Sequence, residues 1–168
     1  MTAGECFEER KGIAMSTSAA DNKKALEILN KILEAELAGV VRYMHYSLMV
    51  YGHNRIPIVS WLRSQADESM LHAQEAGELI THFGGHPSLG IGQLLESHKH
   101  DVGDILRESL EHEKAALAYY HELLKAAEGK SILLEEYARK MIAAEEMHTG
   151  DVDKMLRKPG EIRAVAKR

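Results

Sequence analysis

Cysteine occurs once in this chain, at Cys6. A single thiol excludes a disulfide framework and every centre built on a Cys-x-x-Cys pair, and nothing about it points to an oxidising compartment. Proline and the large aromatics are also scarce, with 3 Pro, 2 Phe and 1 Trp in 168 residues, while Ala, Leu, Glu, Lys and Met, all strong helix formers, abound. The balance predicts an all-α protein. No apolar run approaches the ~20 residues a membrane span needs, and residues 1–14 lack the apolar centre of a signal peptide, so a soluble, cytoplasmic protein with no membrane partner is expected. Positive charge does not dominate either: 21 Lys and Arg against 26 Asp and Glu leave −5. That balance argues against nucleic acid as the main partner, and the locally basic stretch from Arg157 to Arg168 reads as a solvated end.

The length suits one domain with a real core. Residues 1–20 are polar and aperiodic and form an expected flexible segment, residues 21–157 carry the fold, and residues 158–168 form a basic tail. Within the fold, Asp21 is placed to cap a first helix whose apolar stripe runs Ile28, Leu29, Ile32, Leu33, Glu36, Val40, Tyr43 and Ser47. Gly52 to Arg55 make a turn, Pro57 suits the first turn of a second helix, and Gly84-Gly85 ends it. A connection from His86 to about His100 follows, longer than antiparallel neighbours need, so it must cross over. The third helix spans about Val102–Ala127 with the stripe Ile105, Leu106, Leu110, Glu113, Leu117, Tyr120 and Leu124. Ser131 caps the fourth, which Pro159-Gly160 stops. Two helical hairpins joined by one long crossover make a ferritin-like four-helix bundle.

Polar residues interrupt these stripes in a pattern. Glu145 and His148 are three apart on the fourth helix and share a face with Ala138, Met141 and Val152. A lone Glu-x-x-His is ordinary on a surface helix. Here, however, Glu36 and Glu113 also sit mid-stripe, where an ionised carboxylate costs several kcal/mol unless a cation or proton compensates it. The spacing repeats as well: Tyr43 follows Glu36 by seven residues and Tyr120 follows Glu113 by seven, while His72 follows Glu36 by 36 and His148 follows Glu113 by 35. The halves read as copies of one hairpin, each bringing a Glu from its first helix and a Glu/His pair from its second. Carboxylate oxygens with one imidazole per ion suit iron or manganese, and leave zinc open.

Over about residues 22–157 the sequence resembles the bacterioferritin branch of the ferritin superfamily. The matching stretches are Asn30 to Glu36 with Tyr43, Met70-Leu71-His72-Ala73, Ile105-Leu106-Arg107 leading to Glu113, and Glu145 to His148. The resemblance implies a ferroxidase centre that oxidises Fe(II) with oxygen or peroxide and stores the product inside a hollow shell. It also implies roles for individual residues. Glu36 and Glu113 would be terminal ligands, Glu145 a bridge between two irons, and His72 and His148 would each bind one ion. Tyr43 matches the tyrosine beside that centre, either as an electron donor or as a core residue with a satisfied hydroxyl. Met70 matches a methionine that ligates haem across a twofold dimer interface, and otherwise packs between subunits.

The second helix departs from the pattern, because Ser69 stands three residues before His72 where the family has glutamate. Either the second bridging carboxylate is lost and the site weakened, or an inserted residue forms a π-bulge that brings Glu68 onto the ligand face; the reading leans to Glu68 as ligand. His45 and His121 fall at the margins of the stripes, and His82, His86, His98 and His100 gather around the crossover as polar surface or adventitious metal sites. A DNA-coating shell of the Dps type is the alternative, but its Asp-x-x-x-Glu fails here because Leu71 follows Asp67 by four. Tyr46, Leu48, Val59 and Met70 off the stripes, with Leu89, Ile91, Leu94 and Leu95 in the crossover, are too much apolar surface for a small monomer to leave wet. A homo-oligomer is expected, a dimer at least and a shell of 24 or 12 chains beyond it.

Overall fold

The computed structural model describes residues 19–162. The expected flexible segment therefore lies outside the described residues except for its last two, which already belong to a helix, and the tail is described only to Ile162. Four helices follow in order: α1 (Ala19–Met49), α2 (Arg55–His82), α3 (Val102–Ala127) and α4 (Ile132–Leu156). Short turns fold α1 onto α2 and α3 onto α4, and α1 also packs along α3. The expected ferritin-like four-helix bundle is what forms.

Local chemistry sets the ends. Asp101 accepts a hydrogen bond from the Gly103 amide at 2.9 Å, and Ser131 accepts from Leu134 at 3.4 Å, so both later helices begin on side-chain caps. Asp21, expected to cap α1, instead lies inside its first turn and accepts from Lys130 at 2.8 Å. An acidic group there still complements the helix dipole, so the expected cap becomes an inter-helix pair. At the end of α2, Gly84 takes a φ of 75° while Gly85 N–H bonds Ile80 O and Gly84 N–H bonds Thr81 O. This Schellman turn needs a residue free to adopt the left-handed region.

The crossover from α2 to α3 runs against α1 rather than looping free. Gly92 N–H donates to Glu34 O at 2.7 Å, Ser88 N–H to Asn30 Oδ1 at 2.7 Å, and the Arg42 guanidinium to Leu95 O at 3.1 Å. Arg42 is itself buried and reaches Glu108 O at 3.1 Å, so one side chain ties α1, the crossover and α3 together.

Two apolar clusters fill the bundle. One gathers Ile28, Leu29, Ile32, Ile80, Leu123 and Met141 with their neighbours; the other gathers Tyr43, Tyr46, Val50, Leu62, Ala66 and Ile105. Between them lies a polar band, Glu36 on α1, Ser69 and His72 on α2, Glu113 on α3 and Glu145 on α4. On α3 the inner line runs through Ser109, Ala116 and Leu123, one residue before the expected Leu110, Leu117 and Leu124, which are half-buried. Small side chains on that line let the backbones approach.

The closest approach in the polar band is at Gly39, where an added Cβ would meet Ser69 Oγ at 2.7 Å and His112 Nε2 at 3.3 Å. Gly39→Ala must therefore push α1 from α2 at the level of the site. A loss of about 1–3 kcal/mol is expected from such overpacking, read as a lower midpoint in urea. An unchanged midpoint would mean that the two helices have slack there.

Candidate metal centre

The inward turn of each helix delivers one or two polar groups to the same level. Glu36, Glu113 and Glu145 are 5%, 7% and 5% exposed, and His72 and His148 lie between them. His72 Nδ1 is 3.1 Å from Glu145 Oε1 and 3.7 Å from Glu36 Oε1. The ligand atoms of Glu36, His72 and Glu145 all lie within 4.8 Å of one another, close enough to converge on one ion.

The second half is arranged differently. His148 Nε2 is 3.9 Å from Glu113 Oε1, and the Tyr43 hydroxyl stands between them, donating to Glu113 and lying 3.4 Å from His148 Nε2. Trp61 stacks on His148 with the ring planes 7° apart and 6.1 Å between centroids, which fixes the imidazole's orientation. Nothing in the sequence spacing marks Trp61 as a support for a ligand.

The tyrosines carry the repeat one step further. Tyr43 on α1 bonds Glu113 on α3, and Tyr120 on α3 bonds Glu36 on α1 at 2.7 Å. Each hairpin's tyrosine thus holds the other hairpin's carboxylate. The seven-residue spacing that Tyr120 keeps from Glu113, the same as Tyr43 from Glu36, marks the two tyrosines as equivalent, but spacing alone does not show that each pairs across to the other hairpin.

Electrostatics shows what this band lacks. Among the described residues no lysine or arginine pairs with Glu36, Glu113 or Glu145; the ion-pair partners are His72 and His148 alone. Burial and the neighbouring Glu145 charge push the Glu113 carboxyl well above the usual carboxylate range. Burial and the Glu113 charge do the same to the Tyr43 phenol, which stays protonated. At His72 burial works to lower the pKa, but hydrogen bonds with Glu145 and Glu36 outweigh it and hold the imidazole up to about 10. Three carboxyl groups against two imidazoles leave an excess of acidic groups, and hard oxygen donors with histidine nitrogens fit a divalent ion of the iron or manganese class.

The second helix answers the question its sequence posed. α2 is α-helical throughout, with no π turn, so the expected bulge is absent. Ser69 is buried in the band, and Glu68 is exposed at the mouth of a narrow cleft that it lines with Gln65, Ser69, His72, Glu145 and His148. The one-residue difference between the two halves needs no bulge, because it is taken up where the helices meet the turn: residues 50–54 are one more than 128–131, and α2 begins one residue further before His72 than α4 does before His148, against one residue fewer in α1 after Glu36. Glu68 therefore stands outside the convergent group. Met70 lies on the opposite side of α2 from His72 and is 39% exposed, away from the carboxylates.

Among the described residues, no helix is long and apolar enough to cross a membrane. No curated protein matches the chain. Solved structures do. A ferritin-like, diiron-carboxylate protein from Bacillus anthracis strain Ames shares 25% identity at a TM-score of 0.78, over 84% of this chain and 100% of its own. The bacterioferritin of Desulfovibrio desulfuricans, with a diiron site in different catalytic states, shares 25% at 0.71, over 82% of this chain and 80% of its own. A dodecameric thioferritin from Bacteroides fragilis, described as a bacterioferritin-related protein, has the same fold at 24% and 0.75, over 80% of this chain and 85% of its own. The model of the ferritin-like domain matches residues 26–161, nearly the whole bundle and all five of the inward carboxylates and histidines, and the chain belongs to that family.

Proposed function

We propose that this protein oxidises ferrous iron at a dinuclear centre within each bundle and stores the product in a shell of like subunits. The observation that carries the reading is the buried band of Glu36, Glu113, Glu145, His72 and His148, which no lysine or arginine neutralises among the described residues. Every one of these donors comes from a single chain, which favours this function over that of a DNA-coating shell of the Dps type.

The two iron positions are unequal. Glu36, His72 and Glu145 already converge and take the first ion; Glu113 and His148, with Glu145 shared, take the second. The substrate irons each give up one electron, and dioxygen or peroxide accepts them. Tyr43, donating to Glu113 beside His148, orients that carboxylate and would give a further electron to the dioxygen or peroxide as its phenolic proton passes to Glu113. Glu68 at the mouth of the cleft meets incoming cations rather than holding them. Titration of the purified protein with Fe(II) under nitrogen tests the centre: two ions per chain, bound in two steps, are expected. Fewer than one per chain would overturn the reading.

Assembly rests on apolar surface. Val41, Met44 and Leu48 on α1, Met70 and Leu71 on α2, and Leu89 in the crossover are all exposed in the single chain. Tyr46, counted in sequence with this surface, is instead buried in the second apolar cluster, and Val59 is half-buried. What remains suits a second copy of the chain packed along α1 and α2, and Met70, exposed on that face, would offer its thioether to a haem held between two copies. Light scattering with an absorption spectrum of the reduced protein reads both. A monomer at micromolar concentration would remove the shell and the haem site together.

A further inference from the structure

A second group of metal-binding side chains lies away from the bundle interior, where the crossover meets α1. His45 Nε2 is 3.0 Å from Glu96 Oε1, and His100 Nε2 is 2.8 Å from the same oxygen. The ligand atoms of His45, Glu96 and His100 lie within 4.8 Å of one another, and the two imidazole rings stand 6.3 Å apart at 67°. His98 approaches the other carboxylate oxygen, with Nδ1 3.3 Å from Glu96 Oε2. Three histidines from two segments thus surround one carboxylate.

The geometry points to a divalent-cation site of the zinc and copper class, formed by His45, Glu96 and His100, that fastens the crossover to α1. Ligands ~2.0–2.1 Å from a tetrahedral ion stand about 3.3 Å from one another, so the two nitrogen–oxygen separations, 3.0 and 2.8 Å, need to open by only a few tenths of an ångström, while the two imidazole nitrogens already lie within 4.8 Å of each other. Two imidazoles and one carboxylate select zinc, copper(II), nickel or cobalt over calcium or magnesium, which prefer oxygen alone. Three protein ligands leave a fourth position for water, and the site opens to solvent, with the His45 side chain 41% exposed. His98 positions the carboxylate from its far oxygen, as supporting groups do around metal ligands.

The backbone supports the same reading. His98 has a φ of 55°, the one described residue other than glycine in the left-handed region, and this turn brings Glu96, His98 and His100 round to His45. The nearby positive charge does not oppose a cation, because Arg42 is directed to Glu108 and to the carbonyls of Leu95 and Glu108. The site is also distinct from the iron centre: it shares no residue with it, and its donors sit where α1 faces the crossover rather than α2 and α4.

The test uses the full-length protein and the Glu145→Gln variant, in which the bundle centre is disabled. Copper(II) added to Glu145→Gln is expected to bind at one equivalent per chain, with an electron paramagnetic resonance spectrum split by two imidazole nitrogens. His45→Ala combined with His100→Ala in that background removes the equivalent and the splitting. Zinc titration of the protein without Glu145→Gln should likewise lose one equivalent on making the same two substitutions, with Fe(II) oxidation unchanged. His98→Ala keeps the stoichiometry and weakens binding about 10- to 100-fold. In zinc, amide exchange over residues 93–100 slows as the crossover is fastened. An unchanged copper stoichiometry and spectrum in the double substitution would overturn the site, and unchanged amide exchange would overturn its fastening role. Circular dichroism identifies an unfolded variant, and in that case His45→Gln with His100→Gln repeats the decision.

Discussion

Glu145→Gln is expected to abolish binding of the iron pair and to slow Fe(II) oxidation by more than the ~10- to 100-fold that loss of an outer supporting group costs a metal site. Glu145 is the donor both halves need, 3.1 Å from His72 and close enough to Glu113 for its charge to raise that carboxyl. The amide keeps the volume and still accepts from His72, so the fold should persist. Metal titration and stopped-flow absorbance read the loss, and circular dichroism shows that the helices remain. Glu113→Gln separates charge from shape further. Its amide oxygen still accepts from Tyr43, its nitrogen can donate to Glu145, and the carboxyl whose ionisation burial and Glu145 oppose is gone. In chelator the variant should be more stable than the parent by about 1–3 kcal/mol, or roughly 2–4 °C in melting temperature for each kcal/mol, while the second iron is lost. This opposition between stability and binding is the signature of carboxylates kept for a cation. If both variants bind two ions as the parent does, the bundle interior is not the iron centre. If Glu113→Gln melts lower in chelator, the buried carboxyl is not the strain inferred from its environment.

Much of this was legible in sequence because helices encode their inner face by spacing. Glu36, Glu113, Glu145 and His148 are marked by standing on apolar faces and His72 by the repeat of spacing, and the structure brings all five to one level. The crossover was legible from length alone. What periodicity could not reach was anything decided between segments. The bonds from Tyr43 to Glu113 and from Tyr120 to Glu36 cross from one hairpin to the other, and Trp61 meets His148 only after α2 and α4 are placed. The gathering of His45, Glu96 and His100 depends on an irregular turn at His98 that has no repeat to read. On α2 the expected bulge fails because the extra residue between the repeats is taken up around the turn that joins α1 to α2, before Ser69, and leaves Ser69 facing the site.

That placement of Ser69 makes Ser69→Glu the second large expected effect. Ser69 is buried at the level of Glu36 and Glu145 and lines the cleft with His72, His148 and Glu113, so a glutamate there extends into the centre from the side opposite α4. Its carboxylate can span two ions ~3.5–4 Å apart, the separation typical of two-metal sites, and supply the second bridge this chain lacks. The two binding steps of the parent should then merge, with the second ion bound at least ~10-fold more tightly, a change comparable to that from a supporting ligand group. Without metal the same substitution buries a fourth carboxylate in a band already short of positive charge, at a cost of several kcal/mol, and Gly39 packed on Ser69 Oγ leaves little slack to turn it outward. The melting temperature in chelator should fall by roughly 6–12 °C, taking about 3 kcal/mol at 2–4 °C for each, and metal should restore most of it by binding only the folded chain. Glu68→Gln is the contrast: exposed at the cleft mouth, it should leave both binding steps and the melting temperature in chelator within error of the parent. A Ser69→Glu protein that still binds its ions in two separate steps would place residue 69 outside the reach of the metals, and loss of the second step in Glu68→Gln would return the bridging role to Glu68.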